Sequence, residues 1–162
     1  MQTSMRQASL LAAVAGVLVV LGGEALAQSN NDVGTWNLNV AKSKYSPDPV
    51  PKSATIKVEP AGAGVKITVD QVQADGTKRH WEYTGNYDGN DSRVTGNNPD
   101  ADTVARTRIN ATTIQTVSKK AGKVTTTSTQ VISSDGKTRT ITTKGTNSQG
   151  QTVNNVGAYE KQ

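Results

Sequence analysis

The chain has 162 residues and contains no cysteine, no phenylalanine and a single histidine, His80. Without cysteine there can be no disulfide, no thiolate nucleophile and no lipid-anchored cysteine. One histidine without cysteine cannot assemble the usual zinc-ligand sets. Asp88, Asp91, Asp100 and Asp102 offer oxygen ligands, but their spacing does not follow the calcium-loop pattern. No Gly-x-Ser-x-Gly elbow, P-loop or His-Glu-x-x-His is present. His80 alternates with Trp81, so it faces solvent if Trp81 and Tyr83 pack inward. These absences argue against an enzyme, and no catalytic residue, cofactor or metal is expected. The net charge is +5, yet no run of Lys or Arg exceeds two residues. A nucleic-acid-binding arm is therefore not expected, and anionic headgroups of a cell envelope are the partners such a charge could favour.

Long apolar runs are scarce too, with one exception at the start. Leu10 through Leu21 form an apolar run of 12 residues, preceded by Arg6 and followed by Ala25-Leu26-Ala27. A charged start, a short apolar centre and a small-x-small site make a cleavable signal peptide. A spanning helix needs about 20 apolar residues, and Gly22, Gly23 and Glu24 end the run before that. The expectation is export, cleavage near Ala27, and a periplasmic or secreted protein of residues 28–162 folding as one domain.

Helix-core residues are missing from that remainder. Leu38 is its one leucine and it lacks methionine, whereas it holds 21 Thr, 14 Val and 6 Ile. β-Branched side chains lose rotamer freedom in helices and suit a pleated sheet. The pattern agrees: Trp36, Leu38 and Val40 alternate with Thr35, Asn37 and Asn39, as do Ala54, Ile56 and Val58 with Thr55, Lys57 and Glu59. Val65, Ile67 and Val69 repeat the device against Lys66, Thr68 and Asp70. A period of two marks strands with one buried face. Asp75-Gly76, Asp135-Gly136 and similar pairs fall between such runs and supply tight turns.

Strands are predicted near 33–40, 53–59, 64–72, 77–84, 103–109, 113–119, 123–133, 138–146 and 152–160, with a short or irregular segment over 86–95. About nine or ten sequential strands joined by short turns make an all-β, antiparallel up-and-down meander able to close into a small barrel. The proline-rich stretch Ser46 to Pro51 is a stiff loop positioned to cross one end. An outer-membrane barrel would need an apolar outer band and aromatic girdles. The Thr-, Lys- and Gln-rich strands after residue 103 do not provide them, so a soluble barrel is expected.

Two ends of the chain carry a resemblance. Val33-Gly34-Thr35-Trp36-Asn37-Leu38 near the start and Asn155-Val156-Gly157-Ala158-Tyr159-Glu160-Lys161 at the end resemble the calycin barrels, which include lipocalins and fatty-acid-binding proteins. The chain is closer still to uncharacterised exported bacterial proteins with similar ends, a likeness that implies no activity. The resemblance implies a lipocalin-like barrel in which Trp36 plugs the closed end and Gly34 allows close approach. Fatty-acid-binding proteins hold the lipid carboxylate with an arginine two residues before the terminal tyrosine. That position is Gly157 here, so the resemblance implies the barrel and not the fatty acid.

The ligand-contacting residues expected from strand position are Trp81, Tyr83, Arg139 and Tyr159. Arg139 shares a face with Ile141 and Thr143, but its nearness to the Asp135-Gly136 turn places its guanidinium at a solvent-exposed rim. In 103–109, Val104, Arg106 and Arg108 share one face and Thr103, Ala105, Thr107 and Ile109 the other, and periodicity leaves open which is inward. The expected function is binding or carriage of a small amphipathic molecule within the barrel. The alternative is a non-catalytic envelope or extracellular interaction module, a scaffold or hydrolase inhibitor, without a ligand cavity.

Overall fold

Strands whose inward positions are Val, Ile, Ala and Thr need a second sheet face to cover them, and this chain supplies it by curling one sheet on itself. A computed structural model describes residues 30–162; the expected signal peptide, 1–27, and its cleavage site lie outside the described residues. The strands are β1 (Gly34–Leu38), β2 (Ser53–Ala61), β3 (Gly64–Val72), β4 (Lys78–Gly85), β5 (Asp88–Arg93), β6 (Thr95–Gly96), β7 (Thr103–Arg108), β8 (Thr113–Lys120), β9 (Lys123–Ile132), β10 (Thr138–Thr146) and β11 (Thr152–Lys161). All pair antiparallel in one sheet of order β5-β7-β8-β9-β10-β11-β1-β2-β3-β4-β6.

The result is an up-and-down, nearly closed barrel, compatible with a calycin-like barrel. The first strand lies beside the last, with Trp36 opposite Lys161 and Leu38 opposite Tyr159. The open seam falls between the β4/β6 and β5/β7 edges. There the chain itself crosses from one edge to the other, and Gly85 at the end of β4 sits against the Ser92 side chain of β5. No helix among the described residues is long and apolar enough to cross a membrane.

Two local expectations differ from the structure. The segment over 86–95, expected as short or irregular, forms two short strands, β5 and β6, whose polar residues hide their pairing from a hydrophobicity pattern. The first strand stops at Leu38 rather than Val40. The Asn39 side chain accepts a hydrogen bond from Lys42 N at 3.1 Å and starts a 3-10 turn, Val40–Lys42, which leaves Val40 exposed.

The alternation predicted for β1, β2 and β3 matches the core. Trp36, Ala54, Val58, Val65, Ile67 and Val69 are buried. In β7 the inward face is that of Val104 and Arg106. Residues 30–33 cross one end of the barrel before β1, and the loop with Pro47, Pro49 and Pro51 lines the other.

Candidate functional site

At the end covered by residues 30–33, Asp32 is fully buried and each carboxylate oxygen accepts two hydrogen bonds. Oδ1 takes one from Gln130 Nε2 at 2.6 Å and one from Arg139 Nη1 at 2.9 Å. Oδ2 takes one from Arg106 Nη2 at 2.7 Å and one from the Tyr87 hydroxyl at 2.7 Å. Arg106 also reaches the Tyr83 hydroxyl at 3.2 Å, and Arg139 reaches Gln130 Oε1 at 2.9 Å. Strands β7, β9 and β10 and the turn between β4 and β5 thus meet at one carboxylate from a segment outside every strand.

Burial alone would push the Asp32 carboxyl up. Arg106 and Arg139, with hydrogen bonds from Tyr87 and Gln130, outweigh it and hold the group below its ordinary value of 3.8. The same carboxylate acts on Tyr87, whose hydroxyl is pushed up to about 12 by burial and then by the Asp32 charge. Burial also raises Tyr159 and Tyr45, which hydrogen-bond to each other. A spectrophotometric titration is therefore expected to show these three tyrosines ionising above 10, with Tyr87 near 12. A single transition of all tyrosines at about 10 would mean that these hydroxyls are open to water.

Above the floor the interior is hollow. A chamber of about 170 Å³ is lined by Arg106 and Arg139 below, by Ile56, Ile67, Val69, Trp81 and Tyr83 on one side, and by Thr116 and Ser128 between Val104 and Ile141 on the other. A second cavity of about 270 Å³ lies at the mouth, under Tyr45 and the proline loop. Trp81, Asn98 and Ser118 line both and form the neck between them. A larger concavity of about 550 Å³ lies over the outer surface of β2, β3 and β4, around Asp70 and His80. Its His80 and Asp70 side chains are 56% and 63% exposed and paired with each other at 2.7 Å. Solvent competes for these exposed charged groups, so the interior is the better-formed site.

The sequence-predicted residues separate on this geometry. Trp81, Tyr83 and Arg139 come together around the inner chamber. Tyr159 does not line it; it is buried behind Arg139, with its ring centroid 5.9 Å from the guanidinium carbon. Trp36 is fully buried at the closed end, where its indole Nε1 donates to the Asp32 carbonyl at 2.9 Å. Gly34 has a φ of +138°, and a Cβ there would run into the Lys161 side chain. The positive φ itself favours glycine at this position.

The rim position expected for Arg139 is a correction. It is 2% exposed, because residues 30–33 fold over the adjacent turn and bury it. Sequence reasoning missed Asp32, Gln130 and Tyr87 altogether. The available signal was Arg106 and Arg139 on strands of a barrel, since two inward cations demand a buried counter-charge. Gly157, which takes the place of the fatty-acid-binding arginine, has no room for one. A Cβ there would lie 2.9 Å from the Tyr159 ring and 3.3 Å from the Tyr45 hydroxyl.

No family model and no curated protein matches the chain, so its site is read from its own chemistry.

Proposed function

We propose that this protein is an exported, soluble binding protein, lipocalin-like in plan, that holds a small amphipathic molecule inside its barrel. The observation that carries this reading is the divided cavity running from the proline-loop mouth past Trp81 to the charged floor. Pockets for drug-sized ligands run to about 300–1,000 Å³; an inner chamber of about 170 Å³ suits a smaller one. The chamber has an apolar side and a hydroxyl-bearing side, which fits an amphipathic guest. The signal-peptide pattern of Arg6, Leu10–Leu21 and Ala25-Leu26-Ala27 supports periplasmic or extracellular delivery.

Binding accounts for the floor better than catalysis does. Proton transfer near neutral pH wants groups that titrate there. Asp32 is held below 3.8 and Tyr87 is raised to about 12, so neither exchanges a proton at pH 7.

Native mass spectrometry of protein purified without denaturation tests the reading. The expected result is a non-covalent adduct of a few hundred daltons that Trp81→Ala weakens. A mass equal to the bare chain in every preparation, with a protein partner co-eluting, would replace it with the interaction-module reading.

A further inference from the structure

The floor carries one more positive charge than it neutralises. Arg106 and Arg139, 5% and 2% exposed, share the single carboxylate of Asp32. The neighbouring charges add to the imbalance. The Arg108 guanidinium lies 4.2 Å from the Tyr87 ring centroid, and the Lys161 ammonium 5.0 Å from that of Trp36. After all contacts are made, Nε and Nη2 of Arg139 and Nε of Arg106 still have no hydrogen-bond acceptor. The Arg139 guanidinium packs 4.3 Å from the Trp36 centroid, which favours its charge but supplies no lone pair. Buried charged donors are seldom left this way, because each forfeits its hydration. Burial pulls Arg139 down to about 10, with Arg106 adding to the effect and Asp32 opposing it, so at neutral pH it remains a cation.

The missing charge is one, which matches a carboxylate. A phosphate dianion would overcompensate it. The walls then restrict what the carboxylate is attached to. Thr116 and Ser128 are directly opposite one another on β8 and β9 and both line the chamber, the Ser128 hydroxyl being hydrogen-bonded to that of Thr143 at 2.8 Å with capacity for one further partner. Ile56, Val69 and Trp81 face them with hydrocarbon and an indole. A compact skeleton with hydroxyls on one face satisfies both walls, whereas an acyl chain would offer nothing to the Thr116 hydroxyl and have to thread the neck at Trp81, Asn98 and Ser118.

We infer that the inner chamber takes a small hydroxylated carboxylic acid, its carboxylate on Arg139 at the floor and its carbon skeleton between Trp81 and the Thr116–Ser128 wall. This rests on the binding reading above and names the ligand class for the same cavity.

Calorimetric titration of the purified protein with glucuronate, glucose, cyclohexanecarboxylate, dodecanoate and inorganic phosphate tests it. Glucuronate is expected to bind at least about tenfold more tightly than any other probe, the loss of one charge-assisted contact being of that order. Arg139→Met should abolish the preference for glucuronate over glucose. Thr116→Val lies outside the Asp32 network and keeps the fold testable if Arg139→Met unfolds. It should weaken glucuronate several-fold and leave cyclohexanecarboxylate unchanged. Equal binding of glucose overturns the anion assignment, and equal binding of phosphate overturns the carboxylate. A preference for dodecanoate or cyclohexanecarboxylate overturns the hydroxylated skeleton. Failure of every probe, while the native adduct persists, overturns this inference and leaves the binding reading standing; loss of the adduct as well removes both.

Discussion

Asp32→Ala is expected to lower the unfolding free energy by about 3–5 kcal/mol, the usual cost of removing one partner from a buried ion pair. The magnitude follows from what is left behind rather than from what is lost. Arg106 and Arg139 would stay in the interior with no counter-charge, and Gln130 and Tyr87 would lose their acceptor. Since domains are stable by only about 5–15 kcal/mol, the urea midpoint should fall steeply while the slope is unchanged. An Asp32→Leu, Arg106→Met, Arg139→Met triple variant removes the charges together and should recover most of that stability. If the cluster exists to bind an acid, the recovered protein no longer does so. A triple variant as unstable as the single one would show that the network itself specifies the fold.

The same carboxylate sets an acid limb. A group whose folded pKa is depressed contributes stability above its unfolded pKa and loses it as pH falls through the folded value. The wild-type protein should therefore lose stability progressively below pH 3.8, and Asp32→Asn should lack that part of the loss.

Trp36→Ala should cost about 3–5 kcal/mol, the range for deleting a fully buried large aromatic. Trp36 is fully buried, and three independent contacts converge on it: the Asp32 carbonyl, the Arg139 guanidinium and the Lys161 ammonium. Trp36→Phe separates them. It keeps a ring beneath Arg139 but leaves the Asp32 carbonyl without its donor, a loss of about 1–3 kcal/mol. A Phe variant as damaged as the Ala variant would mean that the indole hydrogen bond, and not packing, dominates. Chemical denaturation of the two variants side by side decides it.

The barrel could be read from the sequence because its strands obey two strong rules. Inward β-branched residues alternate with polar ones in β1, β2 and β3, and Asp-Gly turns separate the runs, so both periodicity and punctuation pointed one way. The strands β5 and β6 obeyed neither rule. Asp88, Asn90, Asp91 and Arg93 look like a loop, and they pair only because β7 and β4 offer free edges there. The site was half legible. Alternation sets Trp81 and Tyr83 on one face and groups Arg139 with Ile141, but the nearby Asp135-Gly136 turn makes Arg139 read as a rim group. What alternation cannot supply is the segment that covers the end of a barrel. Asn30, Asn31 and Asp32 read as a polar lead-in to the first strand, and only the closed shape turns that lead-in into a lid and its carboxylate into the centre of the floor.

The position of that carboxylate also has a consequence for timing. Asp32 precedes Arg106 by 74 residues and Arg139 by 107. A growing chain presents it first and must then wait for its partners until β10 has been made. One edge of β1 pairs at once with β2, while the other waits even longer, for β11, at Trp36 and Lys161. Contacts of such long separation form late and slowly, because the intervening chain must be ordered before they repay the entropy of closing the loop. The amino-terminal strands β1 to β4 can pair in order as they are made, but Asp32 has no counter-charge and the second edge of β1 no partner until the last strands arrive. Final closure of the barrel, and with it the burial of the charged floor, is thus the step that needs the whole chain.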